Sequence, residues 1–364
     1  MIRHYSYFYL VIVILLVSFS GTVGALEFSG FASATYVSGD DEENNFALGK
    51  AELITEHNLS DKTYGILDIV FETEGGETIP EIERLSINHT VNNLFEIGAG
   101  RYMEPLGFWN HNFAHGSLAQ HTVSRPYLLE IEQDEKGFLP SHLIGLLIQG
   151  ETDSWSYQFS MANGSGIDSS NAASPTGSAR VFPLNSESPG DALTTLLRTT
   201  YIASDSLEIG LTLSSHEYIE TSDAGLVNKG ESLFKQSFVS MDFNYNLASF
   251  YLFGEGYYMQ YDDNADMTTV TPNPDTYNAT AYYIQFGYRA TQKLTLVSRY
   301  ESLDFDKDAT LFDIQKIEPQ THTVLGFNYA LEPSNSIRFE AQQIDPDTGD
   351  SNTVYYLQWF FYML

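Results

Sequence analysis

The sequence predicts an all-β fold, a transmembrane antiparallel β-barrel of about sixteen strands, and three observations predict it. Apolar and polar residues alternate with a period of two from residue 26 almost to residue 364, the mark of strands with one apolar and one wet face. The connections alternate short and long, as periplasmic turns and outer loops do in such barrels. After the N-terminus, no run is apolar enough to match the ~20 residues of a spanning helix, so strands are left to cross.

Composition narrows the function classes. The 364 residues carry 17 Lys plus Arg against 48 Asp plus Glu, a formal charge of −31. That argues against nucleic-acid binding, which needs clustered cations. There is no cysteine, which excludes disulfides, thiolate metal sites, Cys nucleophiles and a lipidated N-terminal Cys. Acidic chains with few aromatics tend to be disordered, but 24 Tyr, 24 Phe and 3 Trp supply ample apolar material.

Residues 1–25 read as a secretory signal peptide: Arg3, an apolar core from Leu10 to Phe19, and small residues at Val23-Gly24-Ala25. Removing one basic residue and no acidic one leaves 16 against 48, or −32. Residues 26–364 then form a single barrel, a size such barrels reach as one domain.

Sixteen strand segments are expected, at 26–37, 47–57, 63–73, 82–90, 94–101, 142–151, 155–164, 193–203, 207–219, 232–247, 248–262, 279–290, 294–305, 321–331, 336–345 and 352–364. Most approach the 9–11 residues of a tilted membrane strand, an order-of-magnitude length of about ten. In Val239-Ser-Met241-Asp-Phe243-Asn-Tyr245-Asn-Leu247 one face is wholly apolar and the other is Ser240, Asp242, Asn244 and Asn246. Tyr282, Ile284, Phe286 and Tyr288 alternate with Tyr283, Gln285, Gly287 and Arg289. Long connections fall at 38–46, 74–81, 102–141, 165–192, 220–231, 263–278, 306–320 and 346–351. A secreted β-sandwich or β-helix is the competing fold, with its apolar faces meeting each other; eight alternations of loop length favour the barrel. A closed barrel also satisfies every backbone polar group, as hydrocarbon demands.

The last segment, Val354-Tyr-Tyr-Leu-Gln-Trp-Phe-Phe-Tyr-Met-Leu364, resembles the C-terminal strand of bacterial outer-membrane barrels. Phe360, Tyr362 and Leu364 match its apolar places, with Leu for Phe at the end and Gln358 interrupting that face. The other register (Tyr355, Leu357, Trp359, Phe361, Met363) is uninterrupted, so the lipid face is open between the two. The resemblance implies a Gram-negative outer-membrane location, with lipid and lipopolysaccharide as neighbours.

Sixteen strands leave an aqueous channel, so inward residues carry function. By alternation the lumen wall includes Arg84, Arg198, Asp242, Arg299, Glu301, Arg338 and Glu340. Charges of both signs suggest selectivity set by charged rings. The long stretch 102–141 is rich in aromatics that are poorly placed in an outer loop facing water, so it is expected to fold inward against the wall. It resembles the constriction loop of sixteen-stranded porins. Gly100-Arg-x-x-x-Pro-x-Gly-x-Trp-Asn110, followed by Arg125-Pro126, is similar to a stretch of proteins near the phosphate-selective porin family. That resemblance implies an eyelet lined by Arg101, Glu104, His111, His115, His121 and Arg125, and, since porins commonly form trimers, a homotrimer.

Phosphate selectivity would imply a Lys- or Arg-rich entrance, whereas the chain has 8 Lys and acidic outer loops around Asp40, Asp262, Asp306 and Asp347. Fixed negative charge at a mouth enriches cations, so weak cation preference is expected. Imidazoles suit Zn or Cu, and His111 and His115 would share a face if helical, but the spacing completes no metal motif. No metal and no cofactor are therefore expected. Asp345-Pro-Asp-Thr-Gly-Asp350 resembles half a calcium loop, with Tyr356 where the closing Glu belongs. GxSxG is absent, and Asn163-Gly-Ser-Gly166 lacks the nucleophile-elbow spacing, so an enzyme is not expected. The expected function is passive diffusion of small hydrophilic solutes or ions. The alternatives are a scaffold barrel (a sleeve around a partner protein, or a metal-binding surface protein) and an anion or phosphate porin.

Overall fold

The computed structural model describes residues 27–40, 44–74, 77–113, 120–129, 139, 142–172, 178–182, 192–263, 276–306 and 310–363. The expected signal peptide, residues 1–25, lies outside them. Seven strands come first: β1 (Glu27–Gly39), β2 (Asn45–Ser60), β3 (Thr63–Glu74), β4 (Glu77–Asn92), β5 (Phe95–Met103), β6 (His142–Glu151) and β7 (Trp155–Asn163). Two short ones follow, β8 (Ser165–Asp168) and β9 (Arg180–Phe182). The chain then runs through β10 (Leu193–Ser204), β11 (Leu207–Glu220), β12 (Ser232–Leu247), β13 (Phe250–Asp263), β14 (Thr276–Arg289), β15 (Leu294–Phe305), β16 (Gln320–Glu332), β17 (Asn335–Pro346) and β18 (Asn352–Met363).

Within the ring each strand pairs antiparallel with the next, β7 pairs with β10, and β18 returns to β1 from Gly30↔Met363 to Gly39↔Val354, while β8 pairs antiparallel with β9 and parallel with β11. With β8 and β9 outside the ring, sixteen strands close it and leave no edge. Two one-turn helices interrupt the long connections: α1 (Phe108–Phe113) and α2 (Thr310–Gln315).

The outward face is apolar. Met241 is 61% exposed, Leu325 58% and Trp359 59%, while the alternate residues Ser240 and Asp242 are buried inside. The last strand resolves its two registers. Tyr355, Leu357, Trp359, Phe361 and Met363 face outward, and Val354, Gln358 and Phe360 face in, so the uninterrupted set meets lipid. Gln358 sits inside because it accepts from Arg338 at 3.2 Å and donates to Thr35 at 3.2 Å.

The expected loop 74–81 is instead mostly strand: Glu74 pairs with Glu77 and the ladder continues to Pro80 opposite Phe71. Alternation fails there because the register shifts between Asp68 and Ile69. A bulge of this kind puts two residues opposite one, here Glu83 and Arg84, with Ile82 and Leu85 left outward.

The largest buried apolar cluster fills the inner side of the wall built from β10 onward. It joins Tyr251, Phe253, Tyr257, Met259 and Tyr261 of β13 and Tyr283 of β14 to Leu106, Phe108 and Trp109 of the loop after β5. At the long-loop end of that wall, α2 stacks Phe312 on Phe305 (4.1 Å, 7°), and Ala179 N donates to the Ile314 carbonyl at 2.8 Å.

Candidate functional site

The inner lining is set where the chain leaves β5. Gly100 has φ 128°, and a Cβ there would fall 2.1 Å from the Leu85 carbonyl oxygen, so only glycine lets β5 lie against β4. Arg101 is buried, its Nε donating to the Glu83 carbonyl at 3.0 Å and its guanidinium 3.4 Å from Glu81. Glu104 is fully buried and accepts from Ser160 Oγ at 3.2 Å; burial, slightly offset by that bond, pushes its carboxyl up to about 8. Its carbonyl receives Leu106 N at 2.8 Å and Asn110 Nδ2 at 2.5 Å, which fold the chain into α1.

At Gly107 a Cβ would sit 2.1 Å from Glu255 Oε2. The glycine therefore permits the close approach by which Trp109 N donates to Glu255 Oε1 at 2.5 Å. The hydroxyls of Tyr257 (2.6 Å) and Tyr283 (2.7 Å) complete that carboxylate's shell. The Trp109 ring meets Phe113 at 4.8 Å and Tyr283 edge-on at 6.0 Å, and Phe108 lies 5.1 Å from Phe253. Charge and ring packing thus hold this part of the loop to β13 and β14.

Residues 120–127 dock on the next strands. Glu340 of β17 accepts from Val123 N (2.7 Å), Ser124 N (3.2 Å) and Ser124 Oγ. Glu301 of β15 accepts from Tyr127 N at 2.5 Å. Between them Arg299 donates to the Ser124 carbonyl (3.1 Å), Ser124 Oγ (2.7 Å), the Arg125 carbonyl (3.0 Å) and Thr122 Oγ1 (3.3 Å), and to its neighbour Glu301 at 2.7 Å. His121 stacks on Tyr251 at 5.2 Å, and Tyr127 lies 4.8 Å from His322. Burial, then the positive charge of Arg338 and Arg289, lowers the His121 imidazole to about 4.

A family profile described as phosphate-selective porin O and P matches residues 55–354. The chain belongs to that family. It is an outer-membrane β-barrel channel of the kind that serves passive diffusion. Among solved structures, this porin is similar to the anion-selective porin from Comamonas acidovorans (TM-score 0.65, 10% identity, covering 93% of this chain and 99% of that one). It is also similar to the outer-membrane OmpT of Vibrio cholerae (TM-score 0.62, 11%, covering 94% and 99%). The outer membrane channel DcaP of Acinetobacter baumannii is a third (TM-score 0.59, 14%, covering 93% and 97%). At such identities the likeness is one of fold. No curated protein matches the sequence.

The expected wet wall needs correction in this porin. Arg198, Asp242, Arg299, Glu301, Arg338 and Glu340 all point inward, but all are buried. Arg198 holds Asp242 across β10–β12, the second guanidinium nitrogen at 2.9 Å. Arg299, Glu301 and Glu340 are covered by the loop they bind, and Arg338 lies 4.0 Å over the Phe360 ring. Arg84, paired with Asp68, keeps 28% of its side chain open. Sequence alternation could not anticipate this, because a polar inward face reads the same whether water or a loop covers it.

The expected eyelet residues divide similarly. Arg101 and Glu104 are buried at the loop's foot. His111 is exposed on α1, yet enough protein surrounds it that burial, then Arg198, lowers its imidazole below the ordinary range, with Asp242 opposing. His121 and Arg125 are half-buried, and His115 lies outside the described residues. His142 reaches the wall, 3.0 Å from Glu83. Among the described residues no three His, Asp or Glu converge to hold a metal. The sequence reading missed Glu255, Phe253 and Tyr283. The available signal was β13 itself, which carries aromatics in both phases of its alternation, a pattern of strands covered on both faces.

Proposed function

We propose that this porin passes small hydrophilic solutes and ions by diffusion between the docked loop and the polar wall of β1–β7, with a weak preference for cations and without catalytic activity. The observation that carries the cation reading is that three interior arginines are engaged by carboxylates: Arg84 by Asp68, Arg198 by Asp242 and Arg299 by Glu301. A guanidinium so held presents little net charge to a passing anion, while the chain as a whole is at −31. The passage is taken to narrow at 102–141, where His111, His121 and Arg125 are the expected eyelet residues that keep some exposure.

Family membership and the name of the Comamonas relative lean the other way, towards anions or phosphate. Reversal potential in a salt gradient across a planar bilayer decides between them: a cation-side potential is expected, and an anion-side potential overturns the preference. A barrel acting as a partner-protein sleeve or metal-binding surface protein would give no stable steps in the same apparatus. A homotrimer is supported by the trimer form described for the Vibrio OmpT. The outward face of β2–β6 also supports it, being largely aliphatic (Leu48, Leu53, Ile79, Ile82, Leu85, Ile87) where the opposite side is ringed by Tyr and Phe. Acidic outer loops suit divalent bridging to lipopolysaccharide. Residues 1–25 are taken as the export signal.

A further inference from the structure

The loop's two described parts are held in different ways. Every residue from Glu104 to Asn110 is buried, and the rings of Phe108 and Trp109 are packed into the aromatic cluster of β13 and β14. From His121 to Arg125 only Thr122 is buried; the others are half-open. That stretch is tied chiefly through its backbone and the Ser124 hydroxyl, to Glu340 and Arg299. The α1 part also has a carboxylate, Glu255, taking Trp109 N, but its packed rings remain if that charge is lost, whereas the bonds to 121–125 are directional and depend on charge. We infer that the loop is docked in two separable parts, and that Glu340 and Arg299 are positioning residues whose clamp on 121–125 sets the width of the passage while α1 stays in place.

The geometry makes the clamp a unit. Glu340 takes two consecutive N–H groups and the hydroxyl of one residue, Ser124. Arg299 takes the carbonyls of Ser124 and Arg125 and the same hydroxyl. Donors and acceptors of one short segment are thus read by one anion and one cation standing on β17 and β15. Removing the charge of either leaves the segment's polar groups to water, which the half-open side already admits. No aromatic of this segment replaces the lost hold except the His121 stack on Tyr251.

This inference rests on the channel reading above, and two readouts on the full chain keep the two apart. The first is single-channel conductance of wild type, Glu340→Gln and Arg299→Met. The second is labelling by a water-soluble maleimide of Val123→Cys, whose backbone but not side chain is clamped. Because the chain has no cysteine of its own, the label reports one site. Both clamp variants are expected to shift the main conductance step upward and to speed labelling at 123, with the heat-modifiable gel migration of a closed barrel retained. Unchanged conductance and labelling in a folded variant overturn the clamp. Phe253→Ala, which loosens the α1 part, is expected to leave labelling at 123 slow; equal speeding there overturns the separation. If the wall variants fail to close, Ser124→Ala removes the shared hydroxyl from the loop side and is read in the same two ways. If wild type does not conduct, the channel reading falls while labelling still decides the clamp.

Discussion

Two inward arginines on different walls of the barrel obey one alternation and end in different environments. On β1–β7 the inward Arg84 bonds Asp68 and keeps 28% of its side chain open; on β10–β18 the equivalent Arg198 bonds Asp242 with 1% open. The difference does not come from the pair, which is chemically the same. It comes from the start of the loop lying over the second pair: Ser240, the inward neighbour of Asp242 on β12, donates to the Leu106 carbonyl, and the His111 imidazole is near enough to feel both Arg198 and Asp242. An inward-facing charge in a wide barrel is thus left partly open or buried by what lies over it, and on β1–β7 too Glu52, Asp68, Glu83 and Arg101 are buried among their neighbours while Arg84 is not.

The sharpest way to break this comparison is to remove one guanidinium on each wall. Arg198→Ala leaves Asp242 buried without its cation and is expected to cost about 3–5 kcal/mol, measured by urea unfolding of the refolded barrel. Next in size, Met241→Arg puts a charge on the lipid face beside Asp242 and is expected to cost about 2–4 kcal/mol near the bilayer midplane, read in the same assay. Arg84→Ala, where removing a side chain already 28% open lets water reach Asp68, is expected to cost about 1–2 kcal/mol. Equal costs for Arg84 and Arg198 would show that the two environments do not differ as described.

The burial of the loop's own titrating groups is read in slopes against pH. Glu104 is raised from 4.5 to about 8 by burial, so the folded chain keeps a proton that the unfolded chain has lost. Its contribution is complete below about pH 4.5 and is lost as pH rises towards 8. His121 is lowered from 6.5 to about 4, first by burial, so its contribution is present above about pH 6.5 and is lost as pH falls towards 4. Melting temperature across pH 4–9 should flatten on the alkaline side in Glu104→Gln and on the acid side in His121→Gln. A wild-type profile that neither variant alters would contradict the burial assigned to both groups.

Much of the barrel was legible because lipid imposes a simple rule on each strand: Val239 to Leu247 had to show one apolar face, and Met241 duly faces out. The rule loses its grip at Glu83 and Arg84, where a bulge sends two neighbours to the same side and strand was read as loop. The foot of the loop was legible as a resemblance, and its residues now have reasons. Gly100 and Gly107 are close approaches, Trp109 fills the aromatic cluster, and Asn110 ties back to Glu104. Their partners were not legible, since Glu255 lies 146 residues from Trp109 and no local pattern encodes so distant a contact. Glu301 and Glu340 were read as facing inward, which they do, but what covers them is a property of the loop.

The seam between β1 and β18 joins the two extremities of the folded ring. Residues Gly30 to Gly39 find their partners only in Val354 to Met363, so until β18 docks the cylinder is an open sheet with two raw margins. A copy cut short by a dozen residues would keep both margins for good, and unpaired margins recruit other strands.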